Sequence, residues 1–155
     1  MTSFDHEIEI EAPIEYVFEW RTTPENWLRS TPGLIDYEVI DETDEGTLHR
    51  LRFNMLGKTI TSDELFTVDA ENYRTLSVID DETMTAEMVF DYTETDSGTN
   101  LHVHGDFETG GSLFQRALQP VFKRYMKRQI RNTMTTMKDV IEAEYAVEEH
   151  EPVEA

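Results

Sequence analysis

His6-Glu7-Ile8-Glu9-Ile10-Glu11-Ala12-Pro13-Ile14-Glu15-Tyr16-Val17-Phe18 changes its apolar period from two to about 3.6 partway along. Alternating apolar and acidic residues from His6 to Glu11 predict a strand with one buried face. Pro13 suits the first turn of a helix, where its missing N–H would be unpaired anyway. Ile14, Val17 and Phe18 then recur on one helical face through about Arg21. A second short helix is expected from Thr23-Pro24-Glu25-Asn26, with threonine as cap and proline in the first turn. It carries Trp27 and Leu28 and ends before Pro32-Gly33.

Downstream, from Leu34 to Phe107, the pattern is strand throughout. Ile35, Tyr37 and Val39 share one face, and Leu51, Phe53 and Met55 alternate with Arg50, Arg52 and Asn54. The longest one-sided apolar row is Met84, Ala86, Met88, Phe90 and Tyr92. Asp44-Glu45-Gly46, Gly57 and Asp96-Ser97-Gly98 mark tight returns. Sequential strands joined by short turns predict an antiparallel meander. Gly110-Gly111-Ser112 closes the sheet, and Ser112 with Gln115 fits a capping box. Helical spacing then runs through Leu113, Ala117, Val121, Tyr125, Ile130, Met134, Met137, Val140 and Ile141, with Pro120 predicting a kink or a short lead-in helix. The helical signal fades near Tyr145, and Glu148 to Ala155 reads as a frayed acidic tail.

In this order of elements the chain resembles the SRPBCC superfamily, which joins START lipid-transfer domains, birch-pollen-allergen proteins and polyketide cyclases/dehydrases. The resemblance rests on Ile8–Phe18, on Thr23-Pro24-Glu25-Asn26-Trp27, on Gly98-Thr99-Asn100-Leu101 and on Met137–Glu142. It implies an α+β helix-grip fold: a curved antiparallel sheet of about seven strands wrapped around a long C-terminal helix, with two short helices after strand 1. One such domain is expected over residues 1–146, followed by an acidic disordered tail over 147–155. These motifs are structural punctuation, and the fold hosts many functions.

The chain has 155 residues, long enough for one domain with a sizeable core. It has no cysteine, which excludes disulfides and thiolate chemistry. Thirty-three acids against 13 bases leave a net charge of −20. Such self-repulsion is relieved by salt, and we read it as adaptation to a salt-rich cytoplasm. The average surface should repel nucleic acid and anionic membranes. No apolar run reaches the length of a membrane span, so neither stable membrane insertion nor nucleic-acid binding is expected. Between Thr109 and Lys138, however, lie seven bases and no acid. The bases either pair with the acidic sheet within the molecule or, through Arg124, Lys127 and Arg128, dock an acidic protein or a second copy of the chain.

A bent sheet folded around one helix leaves a gap, and gaps of this kind are mostly apolar with a few placed polar groups. The expected lining is Trp27, Tyr37, Phe53, Phe66, Met88, Phe90, Tyr92 and Phe107, with Val121, Tyr125 and Met126 from the helix. Seven methionines suit a lining that repacks around irregular guests. The alternative for any one of these residues is plain core.

Among polar candidates, Glu64 alternates in register with Ile60, Ser62, Phe66 and Val68. It is either an acid inside an apolar row, suited to general acid–base work, or turned to solvent by a bulge. Tyr37, Tyr92 and Tyr125 offer hydroxyls to a ligand carbonyl or to a core partner. His102 and His104, at i and i+2 beside Asp106, have a spacing that can grip a metal. Leu101, Val103 and Phe107 claim the inner face, so the histidines are expected outward and no metal site is expected. His49 lies among arginines with no visible partner. No phosphate loop, nucleophile elbow or zinc-binding spacing is present, and no cofactor is expected. The function expected is therefore binding of a small hydrophobic ligand (a lipid, quinone, isoprenoid or polyketide-like compound) as carrier, sensor or chaperone. The alternatives are a cyclase/dehydratase-like enzyme working through Glu64 or Tyr92, and an interaction protein using the basic helix.

Overall fold

In a computed structural model of the chain, residues 2–55, 57–82, 84–109 and 119–149 are described. Strand β1 (Thr2–Ile10) leads into helix α1 (Ile14–Arg21), a 3-10 turn (Pro24–Asn26) and the single-turn helix α2 (Trp27–Ser30). Six strands follow: β2 (Leu34–Thr43), β3 (Gly46–Met55), β4 (Lys58–Asp69), β5 (Arg74–Asp80), β6 (Met84–Thr95) and β7 (Gly98–Thr109). Helix α3 (Gln119–Glu149) closes the chain. The seven strands form one antiparallel sheet in the order β1-β7-β6-β5-β4-β3-β2, so the meander holds and β1 returns to pair with β7 at one edge. This is the helix-grip architecture.

Alternation decides which side of the sheet is core. Met84, Ala86, Phe90 and Tyr92 of β6 and Leu101, Val103 and Phe107 of β7 are buried beneath α3, in one cluster with Ile10, Val17 and Ile141. Helix α3 presents Phe122, Met126, Met134, Met137 and Ile141 to that cluster, the i, i+4 ladder of an amphipathic helix. Its C-terminal half is tied to β1: Lys138 Nζ donates to the Glu9 carbonyl at 2.6 Å, and Glu142 Oε2 accepts from the Glu11 N–H at 2.8 Å. Its N-terminal half is tied to the opposite end of the sheet, where Tyr125 donates to the Asn54 carbonyl at 3.3 Å and Gln129 to that of Pro32. Gly105 permits the close approach of β6 and β7, since a Cβ there would lie 1.9 Å from the Glu87 carbonyl oxygen.

Two expectations about the elements change. Strand β2 is an exposed edge, bulged between Leu34 and Asp36 and again between Val39 and Asp41. Ile35 falls in the first bulge and is exposed, while Val39 keeps the face of Tyr37, opposite His49, and is 51% exposed because it lies on the uncovered edge. The described part of α3 begins at Gln119, so the kink or lead-in helix expected at Pro120 falls at the border of the described residues. Residues 147–149 belong to α3 rather than to a tail. The Ser112–Gln115 capping box, Leu113 and Ala117 lie outside the described residues.

Candidate functional site

Between α3 and the concave face of β3–β6 lies a partly open cavity of about 140 Å³. Its wall is mostly apolar, with Arg21 and Glu64 together at one place and Ser30, Thr31, Gln129 and Thr133 as further polar lining. Met55, Met84 and Met88 line it from the sheet, and Met126, Met134 and Met137 from the helix. Every methionine of the chain except Met1 thus faces this one space. The volume matches a small ring, well short of the ~300 Å³ at which typical ligand pockets begin. Unbranched thioether side chains are the ones that can yield further room at low cost.

The cavity's polar end is built from α1. Ile14, Val17 and Phe18 are buried, and Arg21 follows at i+7 on the same stripe, so the last turn of the helix delivers a guanidinium to the interior. Hydrogen bonds at the α1–α2 junction hold it there: Trp27 Nε1 donates to the Arg21 carbonyl at 2.9 Å, and Asn26 Nδ2 to that of Trp20 at 2.9 Å. The Arg21 guanidinium carbon stands 4.5 Å from the Phe90 ring centre, 5.5 Å from Trp27 and 5.6 Å from Phe66. Aromatic faces stabilise such a cation once it has lost water. Its Nη1 is buried and has no hydrogen-bond partner.

Glu64 points inward, as alternation allowed and against the bulged alternative, and it is buried. Burial pushes its carboxyl up from the ordinary value, while Arg21 and a hydrogen bond from Ser77 pull it back. His49 stands directly opposite Glu64 in the β3–β4 pairing. It is fully buried among Trp27, Tyr37 and Phe66, its ring 4.9 Å from Trp27, and neither ring nitrogen has a partner. Burial lowers its pKa, so the imidazole is held neutral. The Tyr92 hydroxyl is likewise buried without a hydrogen bond, and burial raises its pKa. One end of an apolar cavity therefore holds a cation and an acid held toward its neutral form, with a neutral imidazole buried behind the wall.

Of the residues expected to line the gap, Trp27, Phe53, Met88, Phe90, Tyr125 and Met126 do. Phe66, Tyr92 and Phe107 are buried behind the wall, packed on Trp27, Phe18 and Phe4 respectively. Tyr37 stacks on Trp27 at 5.9 Å, outside the cavity. Val121 is half exposed, because the inward stripe of α3 begins one position later at Phe122. Arg21 and Leu51 line the cavity but are absent from the expected lining, although both carry a signal: Arg21 the i+7 spacing from Ile14, Leu51 the period-two register with Phe53. His102 and His104 lie on the convex face, as expected. Among the described residues, Arg124, Lys127 and Arg128 make no ion pair within the chain. No helix among the described residues is long and apolar enough to cross a membrane.

Solved structures share this architecture at low sequence identity. TTHA0849 from Thermus thermophilus superposes with a TM-score of 0.82 at 18% identity, covering 92% of this chain and 99% of that one. The Zhui aromatase/cyclase from a Streptomyces species gives 0.77 at 12%, covering 99% of each. A START superfamily protein from Mycobacterium smegmatis gives 0.68 at 15%, covering 93% and 97%. No curated protein matches the sequence. The family model described as polyketide cyclase/dehydrase and lipid transport matches residues 1–142, and with the grip of sheet on helix already in view the conclusion is direct: the chain belongs to the polyketide cyclase/dehydrase and lipid transport family.

Proposed function

We propose that the protein binds a small, largely apolar molecule in the cavity between sheet and α3, with an oxygen-bearing end of the guest turned toward Arg21. The observation that carries this reading is the cavity itself, walled by six methionines and ending at a guanidinium with an unpaired buried N–H. A buried donor without a partner costs about 1–3 kcal/mol, and a carbonyl or carboxylate oxygen of a guest would remove that cost. Trp27, Phe53, Met88, Phe90, Tyr125 and Met126 would make the apolar contacts, with Phe66, Tyr37, Tyr92 and Phe107 supporting them from behind. The role that follows is carrier, sensor or chaperone for a lipid, quinone, isoprenoid or polyketide-like compound in the cytoplasm.

Two measurements test it. Native mass spectrometry of protein taken from its own cells should show a co-purifying apolar compound, and anilinonaphthalene sulfonate should fluoresce in the cavity and be displaced by that extract. Thr133→Trp, which fills the cavity from the helix side, should abolish the signal while leaving the circular dichroism spectrum intact. A protein that is always empty, or a Thr133→Trp variant that binds as well as wild type, would end the proposal.

A second reading has its own observation in Glu64, an acid on the cavity wall whose burial suits it to proton transfer. On that reading the protein accelerates aldol cyclisation of a poly-β-ketone thioester surrogate, and Glu64→Gln loses the rate while keeping anilinonaphthalene sulfonate affinity. Rates equal in wild type and variant would remove it. The unpaired Arg124, Lys127 and Arg128 keep open a docked acidic partner or a homodimer, which reversing all three charges should weaken most at low salt.

A further inference from the structure

On the convex face, away from the cavity, β7 and β6 bring two imidazoles and a carboxylate together. His102 and His104 project from the same side of β7, and Asp91 of β6 stands opposite His102 in the strand pairing. One ligand atom from each of the three residues lies within 4.8 Å of the others. We propose that Asp91, His102 and His104 form a binding site for a late first-row divalent cation, with zinc as the type case.

The donor set selects the metal class. Two neutral imidazoles with one carboxylate suit zinc and its neighbours, whereas magnesium and calcium demand oxygen ligands. Zinc–ligand bonds of about 2.0–2.2 Å require donors about 3.3 Å apart, so the widest separation in the set must close by about 1.5 Å while Asp91 and His104 already stand at that distance. Side-chain rotation can supply that, since the imidazoles retain 28% and 37% exposure and sit on a rigid strand. The groups are also oriented. Arg74 Nε holds Asp91 Oδ1 at 2.6 Å, which leaves Oδ2 turned to His104 Nε2 at 3.2 Å. His102 Nε2 meets Asp5 Oδ1 at 2.9 Å, so a carboxylate stands where a fourth ligand or a metal-bound water would be held. The Arg74 contact is of the outer-shell kind that fixes carboxylate geometry in metal sites. Register places Glu7 opposite His102 on β1, and Glu87 and Asp106 opposite each other on the same convex face. Arg74 is a positive charge beside the site, but the acidic face favours cations overall. A bound metal would staple β6 to β7.

Calorimetric titration of the full chain with zinc chloride, and separately with magnesium chloride, tests the assignment. One equivalent of zinc should bind, magnesium should bind far more weakly, and zinc should raise the melting temperature. His102→Ala, His104→Ala and Asp91→Asn should each weaken zinc at least about tenfold, and all three positions are exposed enough for the variants to fold. Glu87→Gln, a carboxylate on the same face outside the triad, should bind zinc as wild type does. Zinc affinity unchanged in both histidine variants, or magnesium binding as tightly as zinc, overturns the site and leaves a diffuse acidic surface. Neither result bears on the guest cavity.

Discussion

The two ends of the sheet are packed to different standards. Where α3 crosses β1 and β7, aliphatic side chains interlock, and Ile10, Leu101, Val103 and Ile141 are wholly buried. Where the sheet curves away under β3–β5, the partners of α3 are Met55, Met84, Met88 and the Arg21–Glu64 end, and space remains. The helix is fastened at both ends, by Lys138 and Glu142 to β1 and by Tyr125 and Gln129 to the opposite side. The gap between the fasteners is thus part of the fold. One end is selected for close packing and the other for a space that can change shape.

The largest effect should come from the solid end. Leu101→Ala should destabilise by about 3–5 kcal/mol in urea denaturation, and Met88→Ala at the cavity wall by less than half of that, since its neighbours already border free volume. Equal losses would erase the distinction. Next comes Gly105→Ala, whose new Cβ meets the Glu87 backbone oxygen rather than a movable side chain; a loss of about 1–3 kcal/mol is expected. A stable alanine variant would mean that β6 and β7 can separate more easily than their register implies.

The cavity end should announce itself through pH. Glu64 has a raised carboxyl pKa in the folded state, so over the interval above its ordinary value near 4.5 the folded protein holds more protons than the unfolded chain. Stability then falls as pH rises through that interval and is independent of this group below it. The stability gap between Glu64→Gln and wild type should widen with pH by at most about 1.4 kcal/mol per unit. His49 carries the opposite sign: its lowered pKa makes stability fall as pH drops below its ordinary 6.5, and His49→Phe should flatten that arm. A flat difference curve for either variant would mean that water reaches the buried end. The smallest effect is at the α1–α3 contact, where Trp20 Nε1 donates to Glu144 at 2.7 Å. Trp20→Phe should cost about 1 kcal/mol without changing guest binding.

Much of the architecture was legible before any coordinates. The period-two run ending at Ala12-Pro13, the one-sided row from Met84 to Tyr92 and the Asp96-Ser97-Gly98 return each describe a local event, and each occurs where expected. The site was legible only in half. Trp27, Phe53, Met88, Phe90, Tyr125 and Met126 reach the cavity, but Phe66, Tyr92 and Phe107 obey the same alternation and end in solid core. Alternation reports which face of the sheet a residue occupies, and it is silent on how far the helix stands from that face. Val121 shows the helical counterpart of the problem, since a stripe misjudged by one position turns a side chain by about 100°.

Chain order, the hairpin partners from β2 to β7, the two short helices and the acidic surface follow from the residues alone, because each depends on neighbours a few positions apart. Distances between segments far apart in sequence were set only on folding. Arg21 arriving beside Glu64, His49 facing it from the next strand, and Asp91 meeting two histidines all depend on the curvature of the whole sheet and on where α3 is anchored. Those quantities belong to no single stretch of the chain, and they separate a packed interior from one with room for a guest.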